Sequence, residues 1–319
     1  MPTGNVVEVR GLVKSYGPLR AVDGIDLTVR RGEVFSFLGP NGAGKTTTVE
    51  ILEGLREPTE GSARVLGLDP RADSARLIRR TGVIPQDFRF FEKITPREAI
   101  AFYAGMFGHP KDPDVLLRQV GLEEKANDRF ENLSGGQKQK LGLALALVND
   151  PEVIFLDEPT TGLDPQARRA IWEVIRTLRA RGTTVFLTTH YLEEAQVLSD
   201  RVAIIQHGRI IALGTPEEII HRYGRPEVLQ LEAPPALATL LRKSLALPVR
   251  VEGDQVEVEI SRKEDVLTVL TAVQASGVPW QRVTTTRDTL EDVFIRLVGK
   301  MDEAGARAET GTAPEGRDP

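Results

Sequence analysis

Eight consecutive residues, Gly39-Pro40-Asn41-Gly42-Ala43-Gly44-Lys45-Thr46, constrain this 319-residue chain more than any other feature. They fit the pattern G-x-x-x-x-G-K-[ST]. An apolar run, Val34–Leu38, precedes them and a helical stretch follows, which is the context this pattern needs. Glycines let the backbone curl until its N–H groups point inward, and the next helix adds the positive end of its dipole. Such a loop cradles an anion. Lys45 places a point charge on the outer phosphates of a bound nucleotide, and Thr46 offers a hydroxyl to Mg²⁺. Gly39, Asn41, Gly42, Gly44, Lys45, Thr46 and Thr47 are therefore the expected nucleotide-binding residues of this stretch. With glycine at about 7% of positions, chance yields the pattern in roughly one chain in a hundred of this length.

The sequence around the loop alternates strands with helices. Apolar or β-branched runs predict strands near Val6–Val9, Ile25–Val29, Val34–Leu38, Val83–Ile84, Val153–Leu156, Val185–Thr188 and Val202–Ile205. Thr95-Pro96-Arg97-Glu98 is a capping box with proline at the first helical position. Asp164-Pro165 opens a second helix, which stops at Gly182. Thr215-Pro216-Glu217-Glu218 starts a third, and His207-Gly208 reads as a hairpin turn. Strands alternating with helices predict an α/β domain with a largely parallel sheet.

Two further motifs carry chemistry. Val153-Ile154-Phe155-Leu156 ends in Asp157-Glu158. In open α/β sheets ligands sit at the C-terminal ends of strands, so both carboxylates face the site. Asp157 is expected in the Mg²⁺ shell, and Glu158 is placed to polarise an attacking water. A strand ending in Asp-Glu is common by itself; the phosphate loop gives it meaning. Leu133-Ser134-Gly135-Gly136-Gln137 then opens a helix with Ser134 as N-cap. Two glycines at that helix start make a second anion-binding end, although one nucleotide needs only one phosphate site.

That pentapeptide matches a family. Over about residues 4–224 the sequence resembles the nucleotide-binding domain of ATP-binding cassette (ABC) proteins, with its motifs in the family's order. The resemblance implies a P-loop α/β fold with a mixed-sheet core and a helical subdomain at about 87–150. It also implies ATP and Mg²⁺ as ligands. Tyr16 is similar to the aromatic on which adenine stacks. Gln86 resembles the glutamine that links Mg²⁺ and the attacking water to a membrane partner. Thr161-Gly162-Leu163-Asp164 resembles the D-loop, His190 the switch histidine, and Glu158 the catalytic carboxylate. Family members stack head to tail, so Ser134, Gly135 and Gly136 of one copy would clamp the ATP held by Lys45 of another, and Gln137 and Asp164 are further expected nucleotide-binding residues. No hallmark is replaced, so two identical chains would form two working sites.

Composition sets limits. The 41 Lys+Arg and 46 Asp+Glu give a net charge of −5. Residues 226–319 hold 16 acidic and 11 basic side chains, which accounts for all of it, and a domain boundary near 225 is expected. There is no basic stripe for nucleic acid. With no cysteine, disulfides and Cys-ligated clusters are excluded. Four histidines without an H-x-x-x-H pair predict no dedicated metal site, and His109, His207 and His221 read as surface residues. No apolar run approaches the ~20 residues a membrane span needs.

After Arg225 the order becomes β-α-β-β-α-β plus one helix ending near Val298. That predicts a small α+β accessory domain over 226–300, ferredoxin-like in topology, and a disordered tail over 301–319. Three features narrow the family branch. Phe88, Phe90 and Phe91, beside Arg89, read as an exposed docking patch for a membrane domain or as rings packed within the helical subdomain. Thr188–Ala195 resembles bacterial export ATPases of the daunorubicin-resistance type, and Asp288–Phe294 resembles the C-terminal ending of that branch. The resemblance thus implies the ATPase subunit of a transporter. It would be an exporter working with a separate permease at the cytoplasmic face of the membrane. An importer subunit and a soluble ABC ATPase for DNA repair or translation are the alternatives.

Overall fold

The computed structural model describes residues 4–108 and 111–309 and divides into two compact units, Met1–Pro216 and Glu217–Pro319. His109 lies outside the described residues. The division falls earlier than the expected 225. Helix Pro216–Tyr223 is tied to the last helix, because Arg296 Nη1 donates to the Tyr223 carbonyl at 2.6 Å.

In the first unit a six-stranded sheet runs Thr81–Ile84, Val153–Asp157, Thr184–Thr189, Val34–Leu38, Arg201–Gln206, Arg209–Gly214. Only the last pairing is antiparallel. The three central strands are buried along their whole length, as parallel strands covered on both faces must be. Phe186 anchors them, its ring 5.5 Å from Phe35, 5.9 Å from Phe37 and 5.7 Å from Phe155. The register sets Leu38 beside Thr189 and Asp157 beside Thr188. Three chemistry-bearing segments thus leave neighbouring strands at one edge of the sheet: the glycine loop, the carboxylate pair and His190.

A separate antiparallel sheet joins Leu19–Arg30, Asn5–Tyr16 and Glu60–Val65. The strand Glu60–Val65 was not expected. Its Glu-Gly-Ser-Ala-Arg stretch has low strand propensity and takes its conformation from pairing with Asn5–Tyr16. The helical subdomain contains Pro96–Gly105, Pro113–Val120 and Gly135–Ala146. The first is capped by Thr95 and Glu98 in a reciprocal box, and the third by Ser134 and Gln137 in the same way.

The second unit has the expected β-α-β-β-α-β order. Its sheet runs Val249–Glu252, Gln255–Ile260, Glu227–Glu232, Arg282–Thr286, with every neighbour antiparallel. This is the ferredoxin-like arrangement. Leu229, Leu231, Val256 and Val258 pack against Leu237, Leu241, Val269 and Val273 of its two helices. The last helix, Leu290–Glu309, continues past the expected end at 298 and into the segment read as tail. Ala, Glu, Arg, Lys and Met in that stretch favour helix. Residues 310–319 lie outside the described residues.

Candidate functional site

The glycine loop is shaped by close backbone approaches. A Cβ on Gly39 would lie 2.3 Å from the Ile205 carbonyl oxygen, and one on Gly44 would lie 2.3 Å from that of Ala21. Gly44 also has φ 107°, a conformation open to glycine. Helix Lys45–Leu52 starts directly after it. Lys45 is only 6% exposed, and its Nζ donates to the carbonyls of Gly39 at 2.8 Å and Pro40 at 3.1 Å. Burial pushes its pKa down, while the nearby carboxylates of Glu158 and Asp157 favour its charged form.

Asp157 and Glu158 are both 8% exposed. Asp157 Oδ1 accepts from the Thr188 hydroxyl. Burial raises the Asp157 pKa; the Thr188 hydrogen bond opposes that rise, and the Glu158 charge adds to it. Glu158 leaves the strand with φ 49°, in the left-handed region. A bulky residue is strained there and must be held by its surroundings. Its N–H reaches the Thr188 carbonyl at 3.1 Å and hydroxyl at 3.0 Å. Its side chain gathers the remaining groups. Oε2 meets Gln86 Nε2 at 3.2 Å, the Thr161 hydroxyl at 3.1 Å and His190 Nδ1 at 3.0 Å. Oε1 lies 4.0 Å from Lys45 Nζ.

A cleft of about 310 Å³ opens over this cluster, lined by loop residues from Asn41 to Thr47 together with Tyr16, Gln86 and Glu158. Tyr16 is 39% exposed, with Lys14 Nζ 5.4 Å and the Arg56 guanidinium 5.6 Å from its ring centre. A cleft with an aromatic ring at one end and a lysine and carboxylate at the other suits a nucleoside phosphate. Its oxygen donors also fit Mg²⁺. Thr46 and Gln86 offer a hydroxyl and an amide at the cleft, Asp157 offers a buried carboxyl beside Glu158 although it does not line the cleft, and phosphates would complete the shell. Among the described residues no group of three His, Cys, Asp or Glu side chains could hold a metal by itself.

Ser134, Gly135, Gly136, Gln137 and Asp164 do not line this cleft. Ser134 accepts from Gln137 N at 3.3 Å, and Ser134 N donates to Gln137 Oε1 at 2.9 Å. Asp164 caps its own helix, accepting from the N–H groups of Gln166 and Ala167 at 2.9 Å each. A Cβ on Gly136 would lie 2.8 Å from Ala167 Cβ, so glycine lets the two helix starts approach. Ser134, Gly135 and Asp164 face solvent.

The aromatic segment divides. Phe88 and Phe90 pack inward, 6.0 Å from the rings of Phe130 and Tyr103 respectively, so the exposed-patch expectation is corrected for these two. Gly142 leaves room for Phe88, which a Cβ would approach to 3.3 Å. Phe91 stays 69% exposed. Phe91 does not line the groove of about 300 Å³ that Phe88 and Phe90 help to wall, together with Val83, Tyr103, Phe107 and Leu145, but its ring lies 5.3 Å from that of Phe90.

Sequence reasoning missed Thr188, which holds the Asp157 carboxylate and the Glu158 backbone N–H, and the Thr161 hydroxyl on Glu158. Their signal is weak, because threonine is an ordinary strand and loop residue. It also missed Glu53, at the end of the loop helix. Burial, with the charges of Asp157 and Glu50, pushes that carboxyl up to about 8.

Comparison with known proteins adds an independent line. A family model described as "ABC transporter" matches residues 22–161. A second, "ATP-binding protein DrrA1-3-like, C-terminal domain", matches residues 214–298. The "Nod factor export ATP-binding protein I" of Rhizobium sp. (strain N33) is 40% identical over 305 residues, 93% of this chain and 98% of that protein. Its namesake in Paraburkholderia xenovorans (strain LB400) is 41% identical over 304 residues, 92% and 97% of the two chains. Among solved structures, the ATP-binding subunit of an ABC transporter shares 30% identity at a TM-score of 0.62, covering 69% of this chain and 93% of its own. A dimeric ATP-binding cassette in a post-hydrolysis state, bound to ADP and Pi, shares 27% identity at a TM-score of 0.60, covering 66% and 98%.

Proposed function

Because the chain belongs to the ATP-binding subunits of the ABC transporter family, we propose that it hydrolyses ATP to drive a separate membrane permease in export. The observation that carries the hydrolytic part is the convergence of Gln86, Thr161 and His190 on Oε2 of Glu158, whose other oxygen lies 4.0 Å from Lys45. Tyr16 stacks the adenine. The loop from Gly39 to Thr47, through Gly42, Gly44 and Lys45, binds the phosphates, with Asn41 at its rim. Mg²⁺, held by Thr46, Asp157 and Gln86, would neutralise charge on the phosphates. Glu158 takes the proton of the attacking water as general base. Gln86 orients that water, and His190 keeps the Glu158 carboxylate turned toward it.

The solvent-facing Ser134–Gln137 turn and Asp164 would complete the site of a second copy, packed head to tail. The dimeric ADP-bound neighbour supports that reading. The export direction is supported by the names of relatives that match nearly the whole chain and by the match to the C-terminal family. No helix among the described residues is long and apolar enough to cross a membrane. In this reading the transport path belongs to another chain and this subunit works at the cytoplasmic face of the membrane, a reading supported by the relatives' names as export ATP-binding proteins. Phe91 and the apolar groove beside it are the proposed contact.

Because the sequence has no cysteine, Phe91→Cys supplies a unique thiol. In membranes of the native host, a short thiol-reactive cross-linker on that residue should capture a multi-span protein. Capture of no membrane protein, with the labelled chain left in the soluble fraction, would count against the transporter reading.

A further inference from the structure

The His190 side chain is 42% exposed, yet it is held from two directions. Nδ1 meets Glu158 Oε2 at 3.0 Å. The imidazole also lies 4.3 Å from the Tyr191 ring, with planes inclined by 35°. Tyr191 is itself clamped: the Arg168 guanidinium sits 4.1 Å from its ring centre. Arg168 belongs to helix Pro165–Ala180 and lies one turn beyond Asp164. Its Nε is buried without a hydrogen-bond partner among the described residues. The tyrosine face holds this guanidinium, with the Glu194 carboxyl close enough to interact with its charge.

Glu194 fastens the same segment from below. It is fully buried, and its Oε1 accepts from the Thr160 hydroxyl at 2.9 Å and from Trp172 Nε1 at 2.8 Å. Carboxylates are rarely buried so completely without partners. Trp172 lies one turn after Arg168 on the same helix. That helix therefore grips the His190–Glu194 segment twice, at Tyr191 through Arg168 and at Glu194 through Trp172.

We infer that Tyr191, clamped by Arg168, is a positioning residue that keeps the His190 imidazole turned toward Glu158 during ATP hydrolysis. The inference rests on the hydrolytic reading of Glu158 and His190 given above. A histidine with a solvent-facing edge otherwise samples several rotamers, and a misplaced catalytic group forfeits rate. Phenylalanine at 191 keeps the ring face, whereas leucine removes it.

The test is the steady-state ATPase of the purified full chain with Mg²⁺ and ATP. Tyr191→Leu should lower kcat about tenfold or more while KM for ATP moves less than about twofold. Tyr191→Phe should recover most of that rate, and Arg168→Gln should lose an intermediate amount. In a His190→Ala background Tyr191→Leu should cost nothing further, because it acts through the histidine. An unchanged kcat for Tyr191→Leu, or a full additional loss on top of His190→Ala, would overturn the inference. If Tyr191→Leu does not fold, the Arg168→Gln and His190→Ala cycle decides by the same criterion. His190→Ala at the wild-type rate would overturn the underlying reading of the site, and the inference with it.

Discussion

Glu158→Gln should abolish ATP turnover, leave ATP bound, and turn the chain into a dimer when ATP is present. The substitution keeps the size of the side chain and its ability to bond Thr161 and His190. It removes the charge and the capacity to take a proton. Loss of a general base costs about 10²–10⁴-fold in rate. Binding should survive, because the proposed phosphate ligands are the loop and Lys45 rather than Glu158. If ATP joins two chains and hydrolysis releases them, a variant that binds but does not hydrolyse accumulates the joined state. Phosphate release and gel filtration with and without ATP read both effects. A variant that is inactive but stays monomeric with saturating ATP would contradict the head-to-tail arrangement.

Lys45→Ala should fail one step earlier, at ATP binding. Lys45 is buried among carbonyls of its own loop, 4.0 Å from a carboxylate, so its ammonium is already stationed at the floor of the cleft. Hydrogen bonds from a charged donor are worth about 1.5–3 kcal/mol each. Losing one or two of them to phosphate oxygens should weaken ATP binding on the order of a hundredfold. Calorimetric titration with ATP measures this directly. Wild-type affinity in this variant would refute the assignment of the phosphate site.

The sheet and the site were legible to different depths. The glycine loop, the Asp157-Glu158 strand end and the Thr95 and Ser134 capping boxes carry their structure in local spacing, and each sits where that spacing predicts. The ferredoxin-like unit was legible from element order, since the hairpin at Gly253-Asp254 and the alternation in Gln255–Ile260 leave few topologies. Facts that depend on tertiary contact were not legible. Strand Glu60–Val65 exists because Asn5–Tyr16 pairs with it. Phe88 turns inward because Gly142, far along the chain, leaves it space. Thr188 reaches the Asp157 carboxylate and the Glu158 N–H only because its strand lies next to theirs. The Arg168–Tyr191 clamp joins a helix to a loop whose meeting no spacing foretells.

The measurement that bears most directly on the whole account is the specific ATPase activity of the wild-type chain across a range of protein concentrations. If each site is completed by a second copy, as proposed, activity per molecule should rise with concentration and level off once dimers dominate. ATP hydrolysis at a constant rate per molecule, down to concentrations where the chain stays monomeric with ATP, would contradict the account.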